Sequence, residues 1–152
     1  MTQVSFYHLQ HWPLERALPK LLEKTLTAGK RALVLVGSDA RAEQLNNVLW
    51  TYDEAAWLPH GTTKDGHAQD QPIWLSAADE NLNGATYLFL TDGATSTQVA
   101  DFERCFELFD GNDGAQVSAA RERWKAYKDL GFGLKYLQQT ENGGWQEKAA
   151  EN

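Results

Sequence analysis

Apolar positions along the chain switch between short continuous runs and helical spacing, and the switches predict its elements. Val4 to Leu9 is rich in strand formers, and after Pro13 the residues Leu14, Leu18, Leu21, Leu22 and Leu26 recur at helical spacing. Pro19 predicts either a kink in this helix or a main body that begins at the proline. Gly29 closes it, and Ala32 to Val36 is an unbroken apolar run, the pattern of a strand covered on both faces and so of a parallel sheet. Ser38 offers a cap for a second helix to about Trp50, with Ala42, Leu45 and Leu49 on one side. From Thr51 to Gln71 periodicity is lost, and Trp57, Leu58, Pro59 and His60 place large side chains in what reads as an exposed loop suited to a partner. Ile73 to Ser76 and Tyr87 to Thr91 read as strands separated by the turn-rich Asp79 to Gly84. Arg104 to Phe109 fits a strand or a helix, with strand favoured. Asp110 to Asp113 then breaks the pattern and caps a long last helix to Leu130, stopped by Gly131.

Strands alternating with helices predict an α/β fold: a single layered domain with a mostly parallel sheet flanked by helices, Rossmann-like but without a nucleotide site. The expected domain covers residues 1–138, with residues 139–152 as a polar, frayed C-terminal tail. The 152 residues, 42% hydrophobic and 11% aromatic, suffice for one sizeable core and not for two. No apolar run approaches the roughly 20 residues of a membrane-spanning helix, and the N-terminus lacks a signal-peptide layout, so the expected location is cytoplasmic. The lone Cys105 suits a reducing compartment. A net charge of −7 argues against gripping duplex DNA with the whole surface, so any basic patch must be local.

Catalytic signatures are sparse. Gly37-Ser38 follows a strand, and Asp79-Glu80 with Asp92 could hold Mg²⁺ at strand ends, so a nucleotide- or Mg²⁺-dependent enzyme is one rival reading. Against it, neither phosphate-loop pattern is present, and an ordinary turn explains each feature. His8, His11, His60 and His67 form no metal motif, and one cysteine cannot build a zinc ribbon. The expectation is no catalytic residue, no metal and no cofactor.

The last helix carries the clearest signal. Arg121, Trp124, Lys125 and Lys128 fall at i, i+3, i+4 and i+7, a stripe of three cations about one indole. Between Arg121 and Lys135 there are five basic and two acidic residues in an otherwise acidic chain. One reading has Val117, Ala120, Trp124 and Tyr127 facing the core above a rim of solvated charge. Another has the stripe capturing an acidic, aromatic peptide, with carboxylates on Arg121 and Lys125 and an apolar side chain against Trp124 and Tyr127. Single-stranded nucleic acid could use the same mixture.

The stretch Arg121-Glu122-Arg123-Trp124-Lys125-Ala126-Tyr127-Lys128, followed by Gly131-Phe132, resembles the last helix of the chi subunit of bacterial DNA polymerase III. The Phe6-Tyr7 strand, the Gly29-Lys30-Arg31 lead into the second strand, and Leu49-Trp50 followed by Trp57-Leu58-Pro59-His60 agree in order. The resemblance implies an accessory subunit without an active site, linking the clamp loader to the acidic C-terminal tail of single-stranded-DNA-binding protein, which ends in a phenylalanine, and touching DNA only indirectly. It places tail binding on Arg121, Trp124 and Lys125, with Arg123, Tyr127 and Lys128 beside them. A second interface, for the psi subunit or an equivalent protein such as a helicase, would use Trp50, Trp57, Leu58, Pro59 and His60. Val117 stands where some relatives carry a further basic residue.

Overall fold

The computed structural model describes residues 2–53 and 58–148. Its strands are β1 (Gln3–Leu9), β2 (Ala32–Leu35), β3 (His60–Thr62), β4 (Ile73–Ser76), β5 (Tyr87–Leu90), β6 (Arg104–Asp110), β7 (Gly133–Gln139) and β8 (Trp145–Lys148). The helices are α1 (Leu14–Thr27), α2 (Asp39–Thr51) and α3 (Gly114–Asp129), with two short 3-10 turns in the connections. All eight strands form one sheet in the order β3-β4-β2-β5-β6-β1-β7-β8, parallel throughout except for the antiparallel pair β7–β8. The chain is thus a single α/β domain with a mostly parallel sheet and three helices, the expected class.

The sheet separates two cores because successive strand side chains point to opposite faces. On one face Tyr7, Leu9, Val34, Phe89, Phe106 and Leu108 pack against Leu18, Leu21 and Leu22 of α1 and Leu45 of α2. On the other, Val4, Phe6, Leu35, Leu88, Cys105 and Phe109 meet Ala120 and Tyr127 of α3. The central strands β2, β4 and β5 are buried along their whole length, which accounts for their unbroken apolar runs.

Local signals set the helix ends. Ser38 Oγ accepts the Arg41 amide at the start of α2, and the Asp113 carboxylate accepts the amides of Ala115 and Gln116 at the start of α3. Gly131, at φ +83°, turns the chain out of α3 in the left-handed region that a side chain would disfavour. Pro19 lies inside α1, which begins at Leu14, so the helix accommodates the proline and does not wait for it.

Three strands depart from expectation. His60–Thr62, read as loop, is a short parallel edge strand on β4. β7 joins β1 in parallel, carrying Gly133 to Gln138 into the sheet. The frayed tail expected after Gln138 is corrected as far as Lys148: residues Trp145–Lys148 fold back as β8. Trp145 is the reason, because its ring meets Tyr7 edge-on with centroids 4.8 Å apart and closes one core at that edge.

Candidate functional site

Helix α3 lies against β6 and β7, and its faces divide by the company they keep. Ala120 and Tyr127 are buried, Arg123 and Trp124 flank them half-buried, and Arg121, Lys125 and Lys128 are exposed. Trp124 leans on Phe6 (5.2 Å between centroids) and Tyr136 (6.4 Å), so its indole belongs partly to the core, while its Nε1–H is buried without an acceptor. Among the described residues, neither Arg121 nor Lys125 has a carboxylate within 4 Å.

The other two residues of the expected set are turned inward. Glu107 of β6 is 1% exposed beneath α3. Arg123 Nε donates to both of its oxygens at 3.1 and 3.0 Å, and the Tyr127 hydroxyl donates to Oε2 at 2.7 Å. Burial raises the Glu107 pKa above the ordinary carboxylate value, with Arg123 and Tyr127 opposing. Burial, then the Glu107 charge, pushes the Tyr127 hydroxyl up as well. Arg123 and the Tyr127 hydroxyl are therefore engaged within the fold, and the outward cations of α3 are Arg121, Lys125 and Lys128.

Beside α3, the Tyr136 hydroxyl is hydrogen-bonded to His8 Nδ1. Burial lowers the His8 pKa, and the nearby Arg121 charge acts in the same direction. Burial raises Tyr136, with Arg121 opposing. Arg121 thus projects its field over a half-buried aromatic floor that sequence spacing did not reveal, because Tyr136 reaches the helix only through the β1–β7 pairing.

The second expected surface gathers around Trp50, at 54% exposure a prominent apolar group on the described surface. Its ring covers His60 at 4.3 Å between centroids. His60 is only 4% exposed, with its ring nitrogens facing the carbonyl oxygens of Leu58 and Asn46, and Leu58 is 3% exposed. Those two shape the surface from beneath, Pro59 is half-buried, and Trp57 lies outside the described residues.

Comparison with known proteins places the chain in a family. Residues 1–135 match the family described as DNA polymerase III chi subunit, HolC. The chain belongs to that family. A probable DNA polymerase III subunit chi of Rickettsia prowazekii is 31% identical over 110 residues, covering 70% of this chain and 67% of the relative. The DNA polymerase III subunit chi of Escherichia coli is 24% identical over 124 residues, 80% of this chain and 82% of the relative. That of Pseudomonas aeruginosa is 24% identical over 137 residues, 88% and 94% respectively. Membership supports an accessory role in DNA replication.

The features of the rival enzyme reading have structural duties in this chi-family chain. A cleft of about 350 Å³ opens at the carboxyl ends of β1 and β6, where open α/β sheets commonly bind ligands. Arg41 crosses it, bonded to Glu15 at 2.6 Å and to Asp92 at 3.0 Å. Successive amides of Gln10, His11 and Trp12, which could have cradled a phosphate, all donate to Oε1 of Gln139 at 2.8–3.2 Å. Asp79 binds Ser96 and Thr97 of the loop before β6. Among the described residues no cluster of three His, Cys, Asp or Glu side chains could hold a metal, and no helix is long and apolar enough to cross a membrane. Burial, then the Glu107 charge, pushes the Cys105 thiol well above its ordinary pKa, which disfavours the nucleophilic thiolate.

Proposed function

We propose that this chain is a non-catalytic, cytoplasmic adaptor of the replication machinery. Helix α3 captures the acidic C-terminal tail of single-stranded-DNA-binding protein, and the surface around Trp50 docks on the psi subunit of the clamp loader or an equivalent protein, a helicase included. The observation that carries the reading is the pair Arg121 and Lys125: exposed, one turn apart, without a carboxylate partner among the described residues, beside the indole of Trp124. Cations left unpaired in a chain of net charge −7 favour an anionic ligand from outside. A tail ending in phenylalanine supplies both a carboxylate for the cations and a ring for the Trp124–Tyr136 flank. Membership of the chi family supports the same assignment. Tethering then follows from multiplicity, because many tails crowd on coated DNA and a weak contact is renewed before the complex drifts away.

A fluorescence anisotropy titration with a labelled acidic peptide ending in phenylalanine tests the reading. Saturable binding that weakens with salt is expected, and Arg121→Ala with Lys125→Ala should weaken it about tenfold. No binding to the unaltered chain, or no loss in the double variant, refutes the docking site. Tighter binding of a bare single-stranded oligonucleotide than of the peptide would favour direct DNA contact, a reading that the acidic remainder of the surface disfavours.

A further inference from the structure

The hairpin β7–β8 places a second set of groups beside α3. Tyr136 and Lys148 are direct cross-strand partners, as are Gln138 and Gln146. Directly opposed residues project from the same face of a sheet. Tyr136 packs against Trp124, so Lys148 rises from the face that α3 covers, on the far side of Tyr136 from the helix. Glu147 and Trp145, one residue out of phase, take the opposite face, where Trp145 meets Tyr7. The pleat therefore sorts charge, turning Lys148 toward the cations of α3 and Glu147 away from them.

Half-buried Leu134 and Tyr136 pack on the core that α3 covers, Trp124 meets Tyr136, and Arg121 and Lys125 stand exposed on the same helix. Lys148 is exposed and, among the described residues, has no carboxylate within 4 Å. The family match ends at residue 135, so Tyr136 and β8 lie beyond the part of the chain that membership describes.

We infer that the β7–β8 hairpin is the far wall of the tail-docking groove, with Tyr136 as its floor and Lys148 as a further cation that holds the acidic residues preceding the tail's terminal phenylalanine. This rests on the proposed docking at α3 and extends it to a longer stretch of the same ligand. From the Trp124 ring across Tyr136 to Lys148 is about three residues of extended peptide. A carboxylate at that separation from the tail's end, on a peptide lying across the floor, meets Lys148, and one nearer the end meets Arg121 or Lys125.

Two labelled peptides separate the extension from the reading on which it rests. Both end in phenylalanine preceded by one aspartate, and the longer adds a run of aspartates upstream. On the unaltered full chain the longer should bind more tightly and depend more steeply on salt. Lys148→Glu should weaken the longer peptide about two- to fivefold, the range of an exposed charge pair, and leave the shorter unchanged. Lys148→Gln should lose less in the same direction, and Glu147→Gln, on the opposite face, should change neither. If both peptides bind, Arg121→Ala weakens both, and Lys148→Glu alters neither, the extension is overturned and docking on α3 stands. If the longer peptide binds no better than the shorter, the extension is likewise overturned. If neither binds the unaltered chain, the docking function itself fails.

Discussion

Removing the guanidinium that compensates Glu107 tests how α3 is fastened. In Arg123→Met the methionine retains much of the apolar stem, but Glu107, 1% exposed, keeps only the Tyr127 hydroxyl as a donor. Breaking a buried pair by deleting one partner typically costs about 3–5 kcal/mol. The remaining Tyr127 bond and the carboxylate's ability to take up a proton place this case near about 3 kcal/mol, a large share of the roughly 5–15 kcal/mol of a typical domain. The pH dependence has a definite sign. Burial raises the folded-state pKa of Glu107, so the group contributes stability below its unfolded value and loses it as pH rises through the folded one. Arg123 limits that loss, and without it the folded pKa climbs further. Urea denaturation followed by tryptophan fluorescence should therefore show a deficit that is largest near neutrality and shrinks toward about pH 5. Adding Glu107→Gln to Arg123→Met should recover much of the neutral-pH deficit, since no buried charge then remains. Equal deficits at both pH values, with no recovery in the double variant, would show that charge compensation is not what the network provides.

Other consequences are equally open to measurement. Gln139→Ala strips the shared acceptor from the amides of Gln10, His11 and Trp12; a loss of about 1–3 kcal/mol should accompany faster hydrogen exchange at those three positions. Gly143→Ala would set a methyl 2.1 Å from the Trp12 ring at a backbone φ of +85°, so thermal melts should show a marked destabilisation centred on the hairpin. Asp113→Ala removes the cap of α3 and should cost about 1 kcal/mol by chemical denaturation, with fraying of the first turn visible by exchange.

How much of this was legible in the sequence depended on whether one segment's own pattern sufficed. β2, β4 and β5 are buried on both faces, so their apolar runs announced them, and Ser38 and Asp113 marked helix starts with side chains that do cap. β3 is a strand only because β4 offers it an edge; His60-Gly61-Thr62 has no apolar rhythm of its own. β8 is polar where it meets solvent, and its own Trp145 anchors it on Tyr7 of the distant strand β1, a contact that composition cannot show and so reads as a tail. The stripe on α3 followed from helical spacing, but spacing could not place Glu107 beneath it, and that carboxylate is what separates Arg123 and the Tyr127 hydroxyl from the outward cations. Leu58 and His60 were read as exposed because a loop was expected where the edge strand tucks His60 under Trp50 and Leu58, just before it, joins the core.

Charge pairing draws the same division across the molecule. At the carboxyl ends of the strands, where a Rossmann-like sheet could perform chemistry, Arg41 satisfies Glu15 and Asp92, and a glutamine from the hairpin takes the free amides. Groups saturated by their own chain have little free energy left to spend on a substrate, since any ligand must first displace partners already in place. On α3 and β8 the position is reversed, because Arg121, Lys125 and Lys148 stand in solvent with no carboxylate of their own chain within 4 Å among the described residues. An anionic ligand there displaces only water and counterions, which favours fast, reversible, salt-sensitive docking. Those are the kinetics that the proposed tether would need in order to release one tail and take the next.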